Sequence, residues 1–195
     1  MKRNTIFIPA RYKSRRFPGK LLKKIGNQTM LENIVKKIKN IKFSPVIVSG
    51  DKEIADFAKE KKFLFIKSKK KHISGMSRVS EVINKRSSNI IYILFGDELY
   101  LEEKVITKFI KYVSLQKKDS CWHLLTNIKK NDKNDKNVVK CKLNKKNEII
   151  DLCRPYKNKY NYKCVGLFAF KKDVLIKYPK LKKSDRELKM KIEQF

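Results

Sequence analysis

Glycine, proline, cysteine, histidine and acid are all scarce in this 195-residue chain: six Gly, five Pro, four Cys, two His, and 19 Asp plus Glu against 50 Lys plus Arg. Each scarcity excludes something. With so few glycines there is neither the Gly-x-x-x-x-Gly-Lys-Ser/Thr spacing of a Walker loop nor the glycine fingerprint of a dinucleotide fold. Cys121, Cys141, Cys153 and Cys164 stand twenty, twelve and eleven positions apart, with no Cys-x-x-Cys pair and only His72 and His123 to assist. A zinc site wants tighter ligand spacing, so the cysteines read as small core hydrophobes. No apolar run approaches the ~18 residues of a membrane span, and Ile6-Phe7-Ile8 is too short for a secretory signal. A reduced, cytoplasmic protein is expected.

What is present is 41% hydrophobic residues together with a net charge of +31, enough core-forming material to exclude a disordered basic tail. The length suits one domain, residues 1–195, and folding should bury roughly 70% of the unfolded surface. The cations are 42 Lys and only eight Arg. Lysine is spread over the whole chain, and its densest runs, Lys69-Lys70-Lys71 and Lys129 to Lys146, carry little of the aromatic interleaving that single-strand binders use for stacking. The pattern therefore argues for a solvated surface and against nucleic acid as the primary partner.

Short apolar runs alternate with amphipathic stretches. Thr5 to Ile8, Pro45 to Val48, Phe63 to Ile66 and Ile90 to Leu94 read as buried strands. Helical stripes lie between and after them: Leu31, Ile34, Val35, Ile38 and Ile41; Ile54, Phe57 and Ala58; Met76, Val79, Val82 and Ile83; Val105, Ile106, Phe109, Ile110 and Val113. This order predicts an α/β fold, a mostly parallel sheet with helices on both faces, over residues 1–119. Residues 120–195 are strand-rich: Cys121 to Ile128, Val138 to Leu143, Glu148 to Leu152 and Tyr162 to Phe170. The Lys, Asn and Asp segment Lys129 to Asn137 reads as a flexible loop or hairpin tip. A short helix is expected near Asp173 to Tyr178 and a last one from Ser184 to Phe195, with a Ser184/Glu187 capping box and Leu188, Ile192 and Phe195 on one side. With no cap after it, that helix reads as a chain ended early.

Two segments carry chemistry. Pro9 to Lys20, at the carboxyl end of the first strand, gathers Arg11, Arg15, Arg16 and Lys20 around Ser14, and strand carboxyl ends are where open α/β sheets bind ligands. Guanidiniums and a lysine there suit a polyphosphate. Phe95-Gly96-Asp97-Glu98 follows the strongest strand and puts scarce acid where Mg²⁺ would take one or two carboxylates plus phosphate oxygens. Together they point to nucleotide phosphoryl or nucleotidyl transfer. His72 reads as a loop or packing residue and His123 as structural.

Ile8-Pro9-Ala10-Arg11-Tyr12-Lys13-Ser14-Arg15-Arg16-Phe17-Pro18-Gly19-Lys20-Leu21 closely resembles the opening motif of the 3-deoxy-manno-octulosonate (KDO) cytidylyltransferases. His72 to Arg78 with Glu81-Val82 is similar to the family's His-x-Ser-Gly-Thr-Asp/Glu-Arg segment, Gly96-Asp97-Glu98 to its Gln-Gly-Asp-Glu-Pro motif, Val138-Val139-Lys140 to its post-loop strand, and Glu193-Gln194 to its late Glu-Gln pair. The resemblance implies a Rossmann-like nucleotide-diphospho-sugar transferase fold of the glycosyltransferase-A type. It implies transfer of CMP from CTP to an acidic 2-keto sugar with release of pyrophosphate, for lipopolysaccharide or envelope polysaccharide synthesis. Arg11, Lys20 and Asp97 would be catalytic. Ala10, Arg11, Ser14, Arg16, Lys20, Ser74 and Arg78 would bind nucleotide; Arg154, Glu193 and Gln194 would bind sugar; Asp97 would bind Mg²⁺. The strand-rich part in that family also serves dimer contact, which implies a homodimer.

The resemblance has departures. Phe95 stands where the family has Gln, Met76-Ser77 where it has Thr-Asp/Glu, and Cys164 and Phe168 where its His-Leu-Gly-x-Tyr strand has His and Tyr, positions that serve the sugar pocket there. The family also continues past the Glu-Gln pair and supplies a further metal-binding aspartate, so weak or no turnover is expected of residues 1–195 alone. Two alternatives stand beside KDO transfer: a cytidylyltransferase for another nonulosonic or modified acidic sugar, and a catalytically weakened basic protein of the same fold that binds nucleotide or nucleic acid.

Overall fold

The fold follows from one run, Thr5–Pro9 (β1), in which Ile6 and Ile8 are wholly buried and Phe7 nearly so. A strand apolar on both faces needs partners on both edges and cover on both sides. In the computed structural model, which describes residues 4–13, 17–72, 74–83, 88–182, 184–190 and 192 (Arg186, Glu187 and Met190 by backbone alone), β1 has both. After β1 come a small hairpin, Lys24–Ile25 (β2) and Gln28–Thr29 (β3), then Met30–Asn40 (α1) and Ser44–Ser49 (β4). Lys52–Glu60 (α2), Phe65–Lys67 (β5), Gly75–Val82 (α3), Ile90–Leu94 (β6) and Glu103–Leu115 (α4) follow. The strands β5, β4, β1 and β6 lie side by side, all parallel, with Phe7 opposite Val46 on one edge and Ile93 on the other.

Alternation along the strands divides the core in two. Phe7, Val46, Val48, Ile91 and Ile93 pack with Met76 and Val79 of α3 and with Ile83 just after it. Ile6, Ile8, Ile47 and Tyr92 face the other way, and α1, which packs on β4 and touches α4, buries Leu31, Ile34, Val35 and Ile38. α1 starts where it does because of a complete capping box: Thr29 Oγ1 accepts from the Glu32 N–H at 3.1 Å, and Glu32 Oε2 from the Thr29 N–H at 2.7 Å.

The remaining elements are Cys121–Asn127 (β7), Lys130–Asn134 (α5), Lys140–Leu143 (β8), Ile149–Cys153 (β9), Tyr162–Lys171 (β10), Lys172–Lys177 (α6) and Asp185–Met190 (α7). The chain divides into two compact units, residues 1–122 with 166–180, and 123–165 with 181–195. The division expected at 119/120 lies close to the first boundary, but residues 166–180 return to the first unit. The reason is β10: its residues Leu167 to Lys171 pair antiparallel with Leu94 to Ile90 of β6 and add Phe168 and Phe170 to the α3-side core.

In the second unit β8 pairs antiparallel with β9 and with Tyr162–Lys163 of β10, around Cys141, Leu152 and Ile192. Two expectations are corrected there. The segment 129–137 is no bare loop: it holds α5, whose Asp132 accepts from the Lys129 N–H at 2.8 Å and pairs with Lys163 at 2.7 Å. Composition hid this, because a helix start needs one well-placed acceptor and not a favourable average. Of the last helix, expected from Ser184 to Phe195, Asp185–Met190 is helical, while residues 191 and 193–195, with Phe195, lie outside the described residues; Leu188 is exposed and Ile192 buried, so the two do not share a packed face. Among the described residues no helix is long and apolar enough to cross a membrane.

His123 has a structural place. Its Nε2–H donates to the Val165 carbonyl at 2.9 Å, and burial pulls its pKa down to about 4 from the usual histidine range. The unfolded chain binds this proton near pH 6.5 and the folded chain does not until about pH 4, so this contribution is intact above pH 6.5 and shrinks as pH falls towards 4. Urea unfolding followed between pH 7 and pH 5 should show a loss of roughly 1–2 kcal/mol that the His123→Leu variant lacks; equal slopes for both proteins would contradict the assignment.

Candidate functional site

The carboxyl ends of β1, β4 and β6 come out at one rim of the first unit, because the three strands are parallel neighbours. Chain leaving β1 is turned by Ala10, which is buried and whose N–H donates to Val48 O at 2.9 Å, and by Tyr12, whose N–H donates to Asp51 Oδ2 at 2.6 Å. The loop closes where Gly19 N–H meets Tyr12 O at 2.8 Å, and the next residue, Lys20, opens a single 3-10 turn, Lys20–Leu22. Ser14, Arg15 and Arg16 lie outside the described residues, so the site as described is built without them.

Chain leaving β6 makes the turn Phe95-Gly96-Asp97-Glu98. Its geometry is set by Gly166 of β10, which accepts from Phe95 N–H at 2.8 Å and donates its own N–H to Glu98 Oε1 at 2.6 Å. A Cβ at Gly166 would stand 2.8 Å from Glu98 Oε1 and 2.9 Å from Phe95 Cβ, so only glycine admits both contacts. Glu98 is thereby engaged in bracing the backbone, and Asp97 projects outward. Its Oδ2 lies 2.8 Å from Lys20 Nζ, with both side chains around two-fifths exposed. A pair this open contributes on the order of 0.2–1 kcal/mol, weak enough for ligands to replace.

The start of α3 reaches the same rim. Ser74 caps the helix by accepting from the Ser77 N–H at 3.0 Å, and a Cβ at Gly75 would lie 3.0 Å from both Pro9 Cγ and Phe95 Cε1. Ser74 is therefore a buried helix cap. Arg78 is half-buried, with Nη1 donating to Ser68 Oγ at 3.1 Å. Desolvation lowers its pKa, opposed by the Asp51 charge and reinforced by that of Arg11, so each of these two lies within electrostatic reach of Arg78. A guanidinium keeps its charge regardless. Two like-charged arginines sharing a rim are a standing attraction for an anion.

Of the residues expected to act, Ala10, Arg11, Lys20, Ser74, Arg78 and Asp97 all belong to this unit; a direct contact ties Lys20 to Asp97, and Arg78 feels the charge of Arg11. Arg154 belongs to the second unit, where its Nη1 donates to Asn137 O at 2.9 Å. Beside it the fully buried Lys140 donates to Asp135 O and Arg154 O, each at 2.5 Å, and burial lowers its pKa. Glu193 and Gln194 lie outside the described residues. Among the described residues no cluster of three or more His, Cys, Asp or Glu could by itself hold a metal.

Two contributors were given no role by the sequence. Asp51 ends β4 as Asp97 ends β6, and the strand-end rule applied to β4 would have found it. Glu81 accepts from His72 Nε2 at 2.5 Å, a geometry in which the ring nitrogen donates, and from the Lys69 N–H at 2.9 Å. These bonds lower its pKa against the opposing effect of burial and tie the 69–72 loop to α3. The resemblance named Glu81 with its motif, but nothing in local pattern shows that its carboxylate would bind His72 and the Lys69 amide.

Comparison with known proteins gives concordant results. A family model described as cytidylyltransferase matches residues 5–195. The chain is similar to the 3-deoxy-manno-octulosonate cytidylyltransferase of Fusobacterium nucleatum, 32% identical over 190 residues that cover 89% of this chain and 75% of that one. It is also similar to the protein of that name from Christiangramia forsetii, 29% identical over 95% of this chain and 80% of that one. Among solved structures, a CMP:2-keto-3-deoxy-manno-octonic acid synthetase complexed with CTP superposes with a TM-score of 0.87 at 24% identity, covering 98% of this chain and 83% of that one. A putative glucose-1-phosphate thymidylyltransferase from Bacillus anthracis does so at 0.68 and 16%, covering 93% and 77%. These likenesses establish the Rossmann-like nucleotidyltransferase fold.

Gly166→Ala drives a methyl into the Phe95–Glu98 turn. The expected cost is about 1–3 kcal/mol, read as a lower urea midpoint with an unchanged m-value; wild-type stability in this variant would show that the turn does not depend on that close approach.

Proposed function

This chain belongs to the cytidylyltransferase family, and on that premise we propose that it transfers CMP from CTP to an acidic 2-keto sugar, KDO in the first instance, releasing pyrophosphate. We place the reaction in the cytoplasm, in supply of lipopolysaccharide or envelope polysaccharide synthesis. The observation that carries the reading is the Lys20–Asp97 pair: a cation for phosphate and a carboxylate for a metal, delivered 2.8 Å apart by two parallel strands.

The chemistry is displacement at the α-phosphate by the sugar's anomeric hydroxyl, in line with the departing pyrophosphate. Such a transfer rests on positioning and charge neutralisation, with no covalent enzyme intermediate. Arg11, Arg78 and Lys20 supply the positive charge for the triphosphate, and the Tyr12–Asp51 bond holds the loop that carries Arg11 against the end of β4. Asp97 suits Mg²⁺, which takes one or two carboxylates and completes its shell with phosphate oxygens and water. When bound, Mg²⁺ would stabilise the negative charge of the transferring phosphoryl group. On this reading Lys20 leaves Asp97 for phosphate as the nucleotide arrives, so that each partner exchanges one weak contact for a stronger, charge-assisted one.

A second reading, an acidic sugar other than KDO, is favoured by one feature. Phe95 and Phe168, which replace the family's Gln and Tyr, meet ring to ring with centroids 5.3 Å apart, and Phe168 is buried in the core. Two hydrogen-bonding side chains have become one apolar contact, which suits a less hydroxylated or acylated sugar.

Pyrophosphate release from CTP and Mg²⁺, assayed with KDO and with a panel of other 2-keto sugar acids, tests both readings. Release with KDO supports the first, and release only with another acid supports the second. Asp97→Asn should lower kcat/KM at least 10²-fold. Undiminished turnover in that variant, or turnover that survives EDTA, would contradict the assignment of Asp97.

A further inference from the structure

Lys37 lies 17 residues beyond Lys20 in the sequence and 60 before Asp97, in the last turns of α1, and its side chain is half-buried. Its ammonium donates to two backbone carbonyls, Leu99 O and, at 2.9 Å, Leu101 O. These carbonyls belong to the short stretch that follows Asp97 and leads to α4. Within residues 95–101 the backbone bonds itself through Glu98 N–H to Phe95 O at 3.3 Å and Leu101 N–H to Glu98 O at 3.2 Å. One helical turn further along α1, Asn40 Nδ2 donates to Glu103 Oε1 at 2.8 Å, fastening the start of α4 to the same helix face. The other end of α1 belongs to the Lys20 side. Met30 N–H donates to Lys23 O at 3.1 Å, and α1 packs against the Lys20–Leu22 turn. One rigid helix therefore touches the element bearing Lys20 and grips the element bearing Asp97.

We propose that Lys37 is a positioning residue that sets the place of the Asp97 carboxylate relative to Lys20, and so the affinity of the site for a divalent cation in the presence of nucleoside triphosphate. Glu98 braces the turn from the β10 side through Gly166, and Lys37 braces it from the α1 side. Removing the ammonium leaves two partly buried carbonyls without this donor, and the turn relaxes away from α1. The metal arm of the inference rests on the assignment of Asp97 to a metal-bound triphosphate; the bracing arm stands on the geometry alone.

Two variants separate positioning from bulk stability. Lys37→Met keeps the aliphatic stem and removes the donors, and Lys37→Arg keeps donors. In ligand-free protein, hydrogen exchange at the Glu98 and Leu101 amides should quicken about tenfold in Lys37→Met and stay near wild type in Lys37→Arg, with the Ile34 and Ile38 amides of α1 unchanged in both. In equilibrium dialysis with the same saturating CTP on both sides, the excess Mn²⁺ retained with the protein should show binding weakened about tenfold in Lys37→Met alone. Wild-type exchange at Glu98 and Leu101 in Lys37→Met would overturn the proposal. So would acceleration spread uniformly through α1, which marks a structural role only, or unchanged Mn²⁺ affinity. If wild-type protein binds no Mn²⁺ with CTP, the metal assignment fails, and the exchange data still decide whether Lys37 holds the turn.

Discussion

Everything at the rim depends on β1 lying between two parallel partners. Ile6 and Ile8 are completely buried on one face and Phe7 on the other, so the strand cannot sit at an edge or exchange its faces without exposing one of those sets. Parallel pairing with β4 and β6 then brings three carboxyl ends to one side, and the residues after them have nowhere else to go: Arg11 after β1, Asp51 after β4, Asp97 after β6. A protein with 50 cations and 19 acids thereby places two of its acids where they organise cations: Asp51 by fixing the Arg11 loop and Asp97 by pairing with Lys20.

The net charge of +31 says less about the chemistry than the way a few charges are held. Asp97 and Lys20 are exposed and weakly paired, which suits groups that must change partners. Glu98, Glu81 and Lys140 are bound to backbone groups and shape the chain around them. Neighbouring carboxylates on one turn thus take opposite tasks, Glu98 bracing and Asp97 outward, because Gly166 approaches one of them and not the other. The Phe95–Phe168 contact lies on the core side of the same turn, so what replaced polar side chains there also stiffens the segment that presents Asp97.

Much of this was legible in the chain itself. The buried runs before Arg11 and Asp97 announced strand ends, and the helical stripes of α1, α3 and α4 follow the spacing of their apolar residues, so the α/β order and the cationic loop facing an acidic turn could be read directly. Relations between distant residues were not legible. Lys37 is one of 42 lysines, and nothing in its neighbourhood marks it as the donor for carbonyls 62 and 64 positions away. The return of β10 to β6 was hidden because its ten residues serve two units and read as one apolar run. The helix inside 129–137 was obscured by a composition that averages to loop, although Asp132 alone makes the contacts that start it.

The most direct test is a crystal structure of the protein with CTP and Mg²⁺. The expected result has the triphosphate at the carboxyl ends of β1 and β6, with Arg11 and Lys20 on its oxygens, the metal on Asp97, and the Lys20–Asp97 contact broken. CTP bound elsewhere, or bound at that rim with Lys20 still on Asp97 and the metal away from it, would contradict the account.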